Sequence, residues 1–204
     1  SDAATSLGAE GSRAVMAKTG TDRSQIDCII YINTTGLATP SIDARLVNVL
    51  GLPTGIRRMP IWGLGCAGGA AGIAHATNYL KGNPKGRVLL VAVELCGLTF
   101  MAEDRSRSNL VATALFADGG AAVLMIGDEV EGEGVEVVDT QSRFYPDSLD
   151  VMGWNVQSTG LQVVFAQRIP EIVREHARED LGGFLGRHGY GVEDVKEWVL
   201  HPGG

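Results

Sequence analysis

The sequence predicts a duplicated α/β fold, and three observations predict it. First, the strand-length apolar runs Ile26 to Ile32, Arg87 to Leu95 and Ala121 to Ile126 share the chain with segments of helical spacing, Leu7 to Lys18, Pro40 to Leu50 and Ala67 to Leu80. Second, one order of features occurs twice: helix, glycine stop, acidic linker, apolar strand, polar glycine turn. It runs from Lys18-Thr-Gly20 through Ile26–Ile32 to Thr34-Thr-Gly36, and again from Arg187-His-Gly189 through Val195–Leu200 to His201-Pro-Gly-Gly204. Third, the stretch Trp62-Gly-Leu-Gly-Cys-Ala-Gly-Gly-Ala-Ala-Gly72 sets a cysteine where a strand-like segment gives way to a helix of small residues. Each half is expected to contribute a strand-end turn to one shared site.

Taken in order, Leu7 to Lys18 is a helix stopped by Gly20, and Ile26 to Ile32 is a buried strand that empties into Asn33-Thr34-Thr35-Gly36. Pro40 and Ser41 open a helix with Ile42, Leu46, Val47 and Leu50 on one face, closed by Gly51. Arg57 to Trp62 carries two charges and a proline, which suits no central parallel strand. The helix after Cys66 is apolar all round and therefore buried, with His75 as a packed core residue. Arg87 to Leu95 is the clearest strand. Leu110 to Phe116 is a short helix, and Ala117-Asp-Gly-Gly120 turns into the strand Ala121 to Ile126. Asp128 to Gly134 marks the boundary between the halves, placed at 129/130. Beyond it, Val135 to Gln141 reads as a strand, Ser142 to Met152 as a loop, and Trp154 to Phe165 as two short strands. Pro170 starts a helix to about Leu185 whose inner side is Ile172, Val173, Ala177, Leu181 and Phe184 and whose acids and arginines face solvent. Trp198 to Leu200 is a short strand that delivers His201.

Composition bounds the function. The chain has 204 residues, 45% hydrophobic and 20% charged, enough for a sizeable core. A formal net charge of −7 without a basic run argues against a nucleic-acid partner. The longest apolar runs are strand-length, so no membrane span is expected, and the start is not a signal peptide. A cytoplasmic protein with reduced thiols is the expectation. The three cysteines, Cys28, Cys66 and Cys96, are widely spaced and odd in number, which suggests neither a disulfide framework nor a zinc site.

Cys66 is the candidate nucleophile. The first N–H groups of a helix lack intrahelical partners and the helix dipole adds positive charge, so a thiol held there should lose its proton more easily. The same stretch also fits Gly-x-Gly-x-x-Gly at Gly63, Gly65 and Gly68, with Glu94 where a dinucleotide fold would place a ribose-binding acid. The unsuitable strand before it argues against that nucleotide-binding reading. By composition alone, Cys28 and Cys96 are packing residues, His201 would be a surface histidine beside a turn, and Phe100 and Phe165 would be core.

Five motifs, in order along nearly the whole chain, carry a family resemblance: Gly63-Leu-Gly-Cys66-Ala-Gly-Gly69, Val88 to Phe100, Leu115-Phe-Ala-Asp-Gly-Gly-Ala-Ala122, Met152-Gly-Trp154 and His201-Pro-Gly-Gly204. Together they resemble the type III polyketide synthases, the chalcone synthase-like members of the thiolase fold. Ser142-Arg-Phe-Tyr-Pro-Asp147 and Gly153-Trp-Asn-Val are most similar to the bacterial alkylpyrone and alkylresorcinol synthases. The resemblance implies a thiolase-like duplicated α/β fold of layered helices and mixed sheets, incomplete at both ends. Residues 1–129 would be an N-terminal half lacking its start, and 130–204 the first part of a C-terminal half. It implies that Cys66 takes a starter acyl group from coenzyme A and that His201 pairs with it. Phe100 and Phe165 would gate the acyl cavity, Thr34 and Thr35 would line it, and Thr39 would reach into the partner's site of a homodimer.

The implied reaction is decarboxylative Claisen condensation of malonyl-CoA with an acyl group on Cys66, then cyclisation to an alkylpyrone or alkylresorcinol. It needs no metal or redox cofactor. The family's third catalytic residue, an asparagine beyond the His-Pro-Gly-Gly turn, and its N-terminal coenzyme A-binding basic residues are absent, so the chain is expected to be an internal fragment. Two alternatives within the fold are a ketoacyl-acyl-carrier-protein synthase III-like condensing enzyme and a non-catalytic fragment. The His-Pro-Gly-Gly turn and the Glu94-Leu-Cys-Gly-Leu-Thr-Phe100 run argue against the first.

Overall fold

The computed structural model describes residues 1–201 and 203. The chain divides into two compact units, Ser1–Leu98 with Ala117–Thr140, and Thr99–Phe116 with Gln141–Gly204. Among the described residues no helix is long and apolar enough to cross a membrane.

In the first unit, helix α1 (Asp2–Thr19) leads to strand β1 (Cys28–Asn33), helix α2 (Ile42–Leu50), strand β2 (Arg57–Trp62), helix α3 (Gly68–Lys81) and strand β3 (Arg87–Leu95), and strand β4 (Asp118–Ile126) completes it. The sheet order is β2-β1-β3-β4, with β1 parallel to both β2 and β3, and β4 antiparallel to β3. Strands β1 and β3 are buried on both faces, which is why their sequences are nearly unbroken apolar runs. Alternation along them divides the core. Ile29 and Tyr31 of β1 and Leu89, Val91 and Val93 of β3 pack with Ala9 and Met16 of α1 and Leu46 and Leu50 of α2. Cys28, Ile30 and Ile32 of β1 with Val88 and Leu90 of β3 pack on Ala76 and Leu80 of α3 from the other side.

β2 is an edge strand, the place where its proline and two arginines are tolerated. Helix α1 starts earlier than the apolar spacing suggests, at Asp2, because Ala4 and Thr5 bury as well. Strand β4 likewise extends back through Asp118-Gly-Gly120, where a turn was expected. The ladder to Leu95, Glu94 and Val93 supplies the backbone pairing that overrides glycine's poor strand propensity. The expected strand Val135 to Gln141 does not form. A strand persists only where its backbone groups pair, and this segment joins no ladder; Val135 is 97% exposed.

The second unit holds helix α4 (Arg107–Leu115), the hairpin of β5 (Met152–Gln157) and β6 (Gly160–Phe165), and helix α5 (Ile169–Gly186). Helix α4 packs on β6, where the Ser108 hydroxyl donates to the Phe165 carbonyl at 3.2 Å and the Phe116 ring meets Phe165 and Trp154 edge-on. The inner side of α5 differs from the predicted one. Ile172, Ala177 and Phe184 are half-buried, but Val173 and Leu181 are exposed, and Asp180 is not part of a solvated face. Its carboxylate takes hydrogen bonds from Arg143 Nε at 2.7 Å and from the Tyr145 hydroxyl, while the Tyr145 ring stacks on His176. The tyrosine and arginine come from the loop before β5, so α5 turns toward them.

The repeated order of features is visible in the backbone as far as its turns. After α1, Gly20 takes a left-handed conformation at φ 62°, a 3₁₀ turn follows at Arg23–Gln25, and the Asp22 amide donates to Gln25 Oε1 at 2.9 Å. After α5, Gly189 lies at φ 76°, a 3₁₀ turn follows at Val192–Asp194, and the Gly191 amide donates to Asp194 Oδ2 at 2.7 Å. The copies diverge at the next step. Ile26 leads into β1, whereas Trp198 to Leu200 forms no strand, and Val199 and Leu200 are 99% and 70% exposed. The expected strand has no ladder partner among the described residues of its unit.

Candidate active site

Cys66 sits one turn ahead of α3. The chain leaves β2 at Trp62, turns through Gly63 at φ 90° and Gly65 at φ 54°, and runs through the 3₁₀ turn Gly65–Ala67 directly into the helix. Glycine is required at these two positions because their φ values lie in the left-handed region. The helix behind them sits hard on the sheet. A Cβ on Gly68 would come within 2.5 Å of Ile32 Cγ2, and one on Gly72 within 2.7 Å of Leu90 Cδ1. Small residues after the cysteine therefore serve close packing, and they leave Cys66 exposed at the sheet's rim.

A hydrogen-bonded network from the neighbouring strand ends fixes this corner. Glu94, near the end of β3, accepts from the Thr34 amide at 3.1 Å, the Thr35 amide at 3.0 Å and the Thr35 hydroxyl at 2.7 Å, all at one oxygen, Oε2. The Thr35 hydroxyl in turn accepts from the Leu95 amide at 2.9 Å, and the Thr34 hydroxyl accepts from the Gly65 amide at 3.0 Å. Thr34 is buried and Thr35 half-buried. These two side chains hold backbone, and the last bond lands on the residue before Cys66. Thr39 lies farther along the same loop and is exposed.

The electrostatics correct one expectation. Cys66 does not gain acidity from its place before a helix: loss of solvent around the thiol pushes its pKa up, the Glu94 carboxylate adds to the rise, and its own backbone amide offsets only part. Burial also raises Cys96, with Glu94 and Asp118 contributing, and lifts the fully buried Cys28 to about 11. A thiolate at Cys66 thus needs a cation from elsewhere.

Phe100, Phe165 and His201 belong to the second unit. Phe100 is 58% exposed, Phe165 ends β6 with its ring 6.0 Å from that of Phe116, and His201 is exposed outside any helix or strand. Of the predicted His-Pro-Gly-Gly turn, Pro202 and Gly204 lie outside the described residues. The structure thus joins Cys66, Thr34 and Thr35 through Gly65 and adds Glu94. The sequence signal for Glu94 was a lone acid at the end of an apolar strand, which the nucleotide reading had assigned to a ribose. No group of three or more His, Cys, Asp or Glu side chains among the described residues is placed to hold a metal ion.

Residues 1–129 match the family model for chalcone and stilbene synthases, N-terminal domain. The chain belongs to the chalcone and stilbene synthase family. It is 40% identical over 186 residues to a putative chalcone synthase of Bacillus subtilis, covering 88% of this chain and 51% of that relative. It is also 40% identical over 201 residues to the 1,3,6,8-tetrahydroxynaphthalene synthase of Streptomyces peucetius, covering 97% and 53%. Its fold matches the crystal structure of 1,3,6,8-tetrahydroxynaphthalene synthase from Streptomyces coelicolor, a bacterial type III polyketide synthase, with a TM-score of 0.93 at 30% identity over 98% of this chain and 57% of that one. The polyketide synthase PKS-I of the brown alga Ectocarpus siliculosus gives a TM-score of 0.91 at 26% identity, over 98% and 53%. The chain spans about half the length of the curated relatives it matches.

Proposed function

We propose that the protein containing this chain is a type III polyketide synthase in which Cys66 carries the growing acyl chain. The observation that carries this reading is the exposed Cys66 in a rim turn, pinned through Gly65 by Thr34, in a chain of this family. The Cys66 thiolate attacks the carbonyl of a starter acyl-CoA, and the coenzyme A thiolate leaves with the electron pair of the broken C–S bond. Malonyl-CoA then loses carbon dioxide to give an enolate, whose carbon attacks the acyl-Cys66 carbonyl and expels the Cys66 thiolate. His201 pairs with Cys66 as the imidazolium that offsets the raised thiol pKa, and it donates a hydrogen bond to the thioester oxygen as charge develops there. Phe100 and Phe165 gate the acyl cavity, Thr34 and Thr35 form its wall, and Thr39 reaches into a second subunit's site in a homodimer. No metal or redox cofactor takes part.

In this reading residues 1–129 form the nucleophile-bearing half and 130–204 the start of the histidine-bearing half, in a cytoplasmic enzyme. Extension and cyclisation give an alkylpyrone or alkylresorcinol. The relatives named for 1,3,6,8-tetrahydroxynaphthalene favour a second product, that fused aromatic ring. Incubating the intact protein with malonyl-CoA and a panel of acyl-CoAs, with product mass and Cys66 acylation followed together, tests both. An acyl adduct on Cys66 that is lost in Cys66→Ala, together with alkylated pyrones or resorcinols, is the expected result. Tetrahydroxynaphthalene would replace the product, and no adduct at Cys66 would overturn the enzyme reading.

A further inference from the structure

The network behind Cys66 gives Glu94 a task outside the condensation chemistry. Its carboxylate takes three hydrogen bonds, 2.7 to 3.1 Å, from two consecutive residues of the loop after β1. An ionised carboxylate is a strong acceptor with no proton to donate, so it can gather several N–H and O–H groups, and such charge-assisted bonds are about twice as strong as neutral ones. Thr35 is locked twice, since its hydroxyl also accepts from the Leu95 amide of β3. Thr34, held by its own amide, then presents its hydroxyl to the Gly65 amide. Gly65 has φ 54°, sits immediately before Cys66 and opens the single 3₁₀ turn that leads into α3. The chain of contacts runs from β3 through the β1 loop to the nucleophile turn.

We propose that Glu94 is a positioning residue for Cys66, acting through Thr35 and Thr34 on the Gly65 amide. The role rests on the reading that Cys66 is acylated, and it makes a claim of its own about backbone order. Displacing a reacting group by about 1 Å can slow a reaction a hundredfold, so a loosened turn should be felt in acyl loading.

The test uses the intact protein and two readouts, amide hydrogen exchange and single-turnover acylation of Cys66 by an acyl-CoA. Glu94→Ala is expected to raise exchange at the Thr34, Thr35 and Gly65 amides and to slow loading about tenfold or more. Glu94→Gln, whose amide oxygen can accept the same bonds, is expected to restore Gly65 protection and loading to within about threefold. Thr34→Val cuts only the last link: Gly65 exchanges faster and loading slows, while the Thr34 and Thr35 amides stay protected. If Glu94→Ala does not fold, the contrast between Glu94→Gln and Thr34→Val decides. Unchanged Gly65 exchange in Thr34→Val, or a Gln variant as slow as the Ala variant, overturns the positioning role. Absence of loading in the wild-type protein defeats the polyketide reading instead, and the exchange data still decide the role of Glu94.

Discussion

A thiol with a carboxylate as neighbour is a poor spontaneous nucleophile, and this fixes what each cysteine should do. Cys66 is exposed, Cys96 half-buried and Cys28 fully buried with its thiol lifted to about 11. Alkylation by iodoacetamide, mapped by mass spectrometry, should therefore run Cys66 first, Cys96 second and Cys28 only on unfolding. Equal labelling of all three in folded protein would contradict the assignment. Replacing Glu94 by glutamine removes a negative charge that disfavours the thiolate, so the pH profile of Cys66 alkylation should move to lower pH. An unmoved profile would mean that Glu94 does not act on the thiol electrostatically. Cys66 itself was legible as a residue: a cysteine among glycines at a strand–helix junction. Its proton affinity was not, because the opposing carboxylate arrives from another strand and the solvent loss comes from packing, neither of which local spacing encodes.

Among the elements, what could be read depended on whether a segment's partners were implied by its own pattern. The runs of β1 and β3 announce a strand buried on both faces, and the αL glycines at Gly20 and Gly51 announce helix ends. Segments 135–141 and 198–200 have strand composition but no ladder, and only tertiary pairing makes a strand. The close approach of neighbours to α3 is legible in its alanines and glycines, but burial is confined to one face, Gly68, Gly72, Ala76, Thr77 and Leu80, and His75, expected in the core, is exposed on the other. Gly72→Ala would drive a methyl against Leu90 Cδ1 and Ile32, so it should destabilise the protein by about 1–3 kcal/mol, measurable by denaturant unfolding. Gly69→Ala, with open space around it, should be neutral or better. In the second unit, the Tyr145 hydroxyl and Arg143 hold the Asp180 carboxyl below its ordinary value. A depressed folded pKa gives stability that is complete above the unfolded value, near 4, and lost as pH falls through the folded one. The melting temperature of the wild type should thus drop more steeply than that of Asp180→Asn below about pH 4. Parallel curves would remove the clamp from the acid response.

At the level of the whole molecule, the rim that carries Cys66 also carries apolar side chains with no cover. Strands β1 and β2 end together, Asn33 paired with Trp62, so the loops that follow them leave from one end of the sheet. Those loops present Leu37 at 68% exposure and Leu64 at 43%, beside Trp62 at 45%, with Thr39 exposed in the first of them. The homodimer proposed above would give these apolar groups cover. In that homodimer, a two-fold axis through this patch would cover the same residues on both subunits. The intact protein should therefore sediment as a dimer. A charge placed in an apolar interface must be desolvated without a partner, so Leu37→Asp should weaken dimerisation by about a hundredfold or more. Condensation should fall in step with the dimer fraction across a dilution series, and should fall again in Thr39→Gly at concentrations where the dimer is intact. A monomer that retains full condensation activity would refute the shared site, and a dimer untouched by Leu37→Asp would move the interface away from this rim.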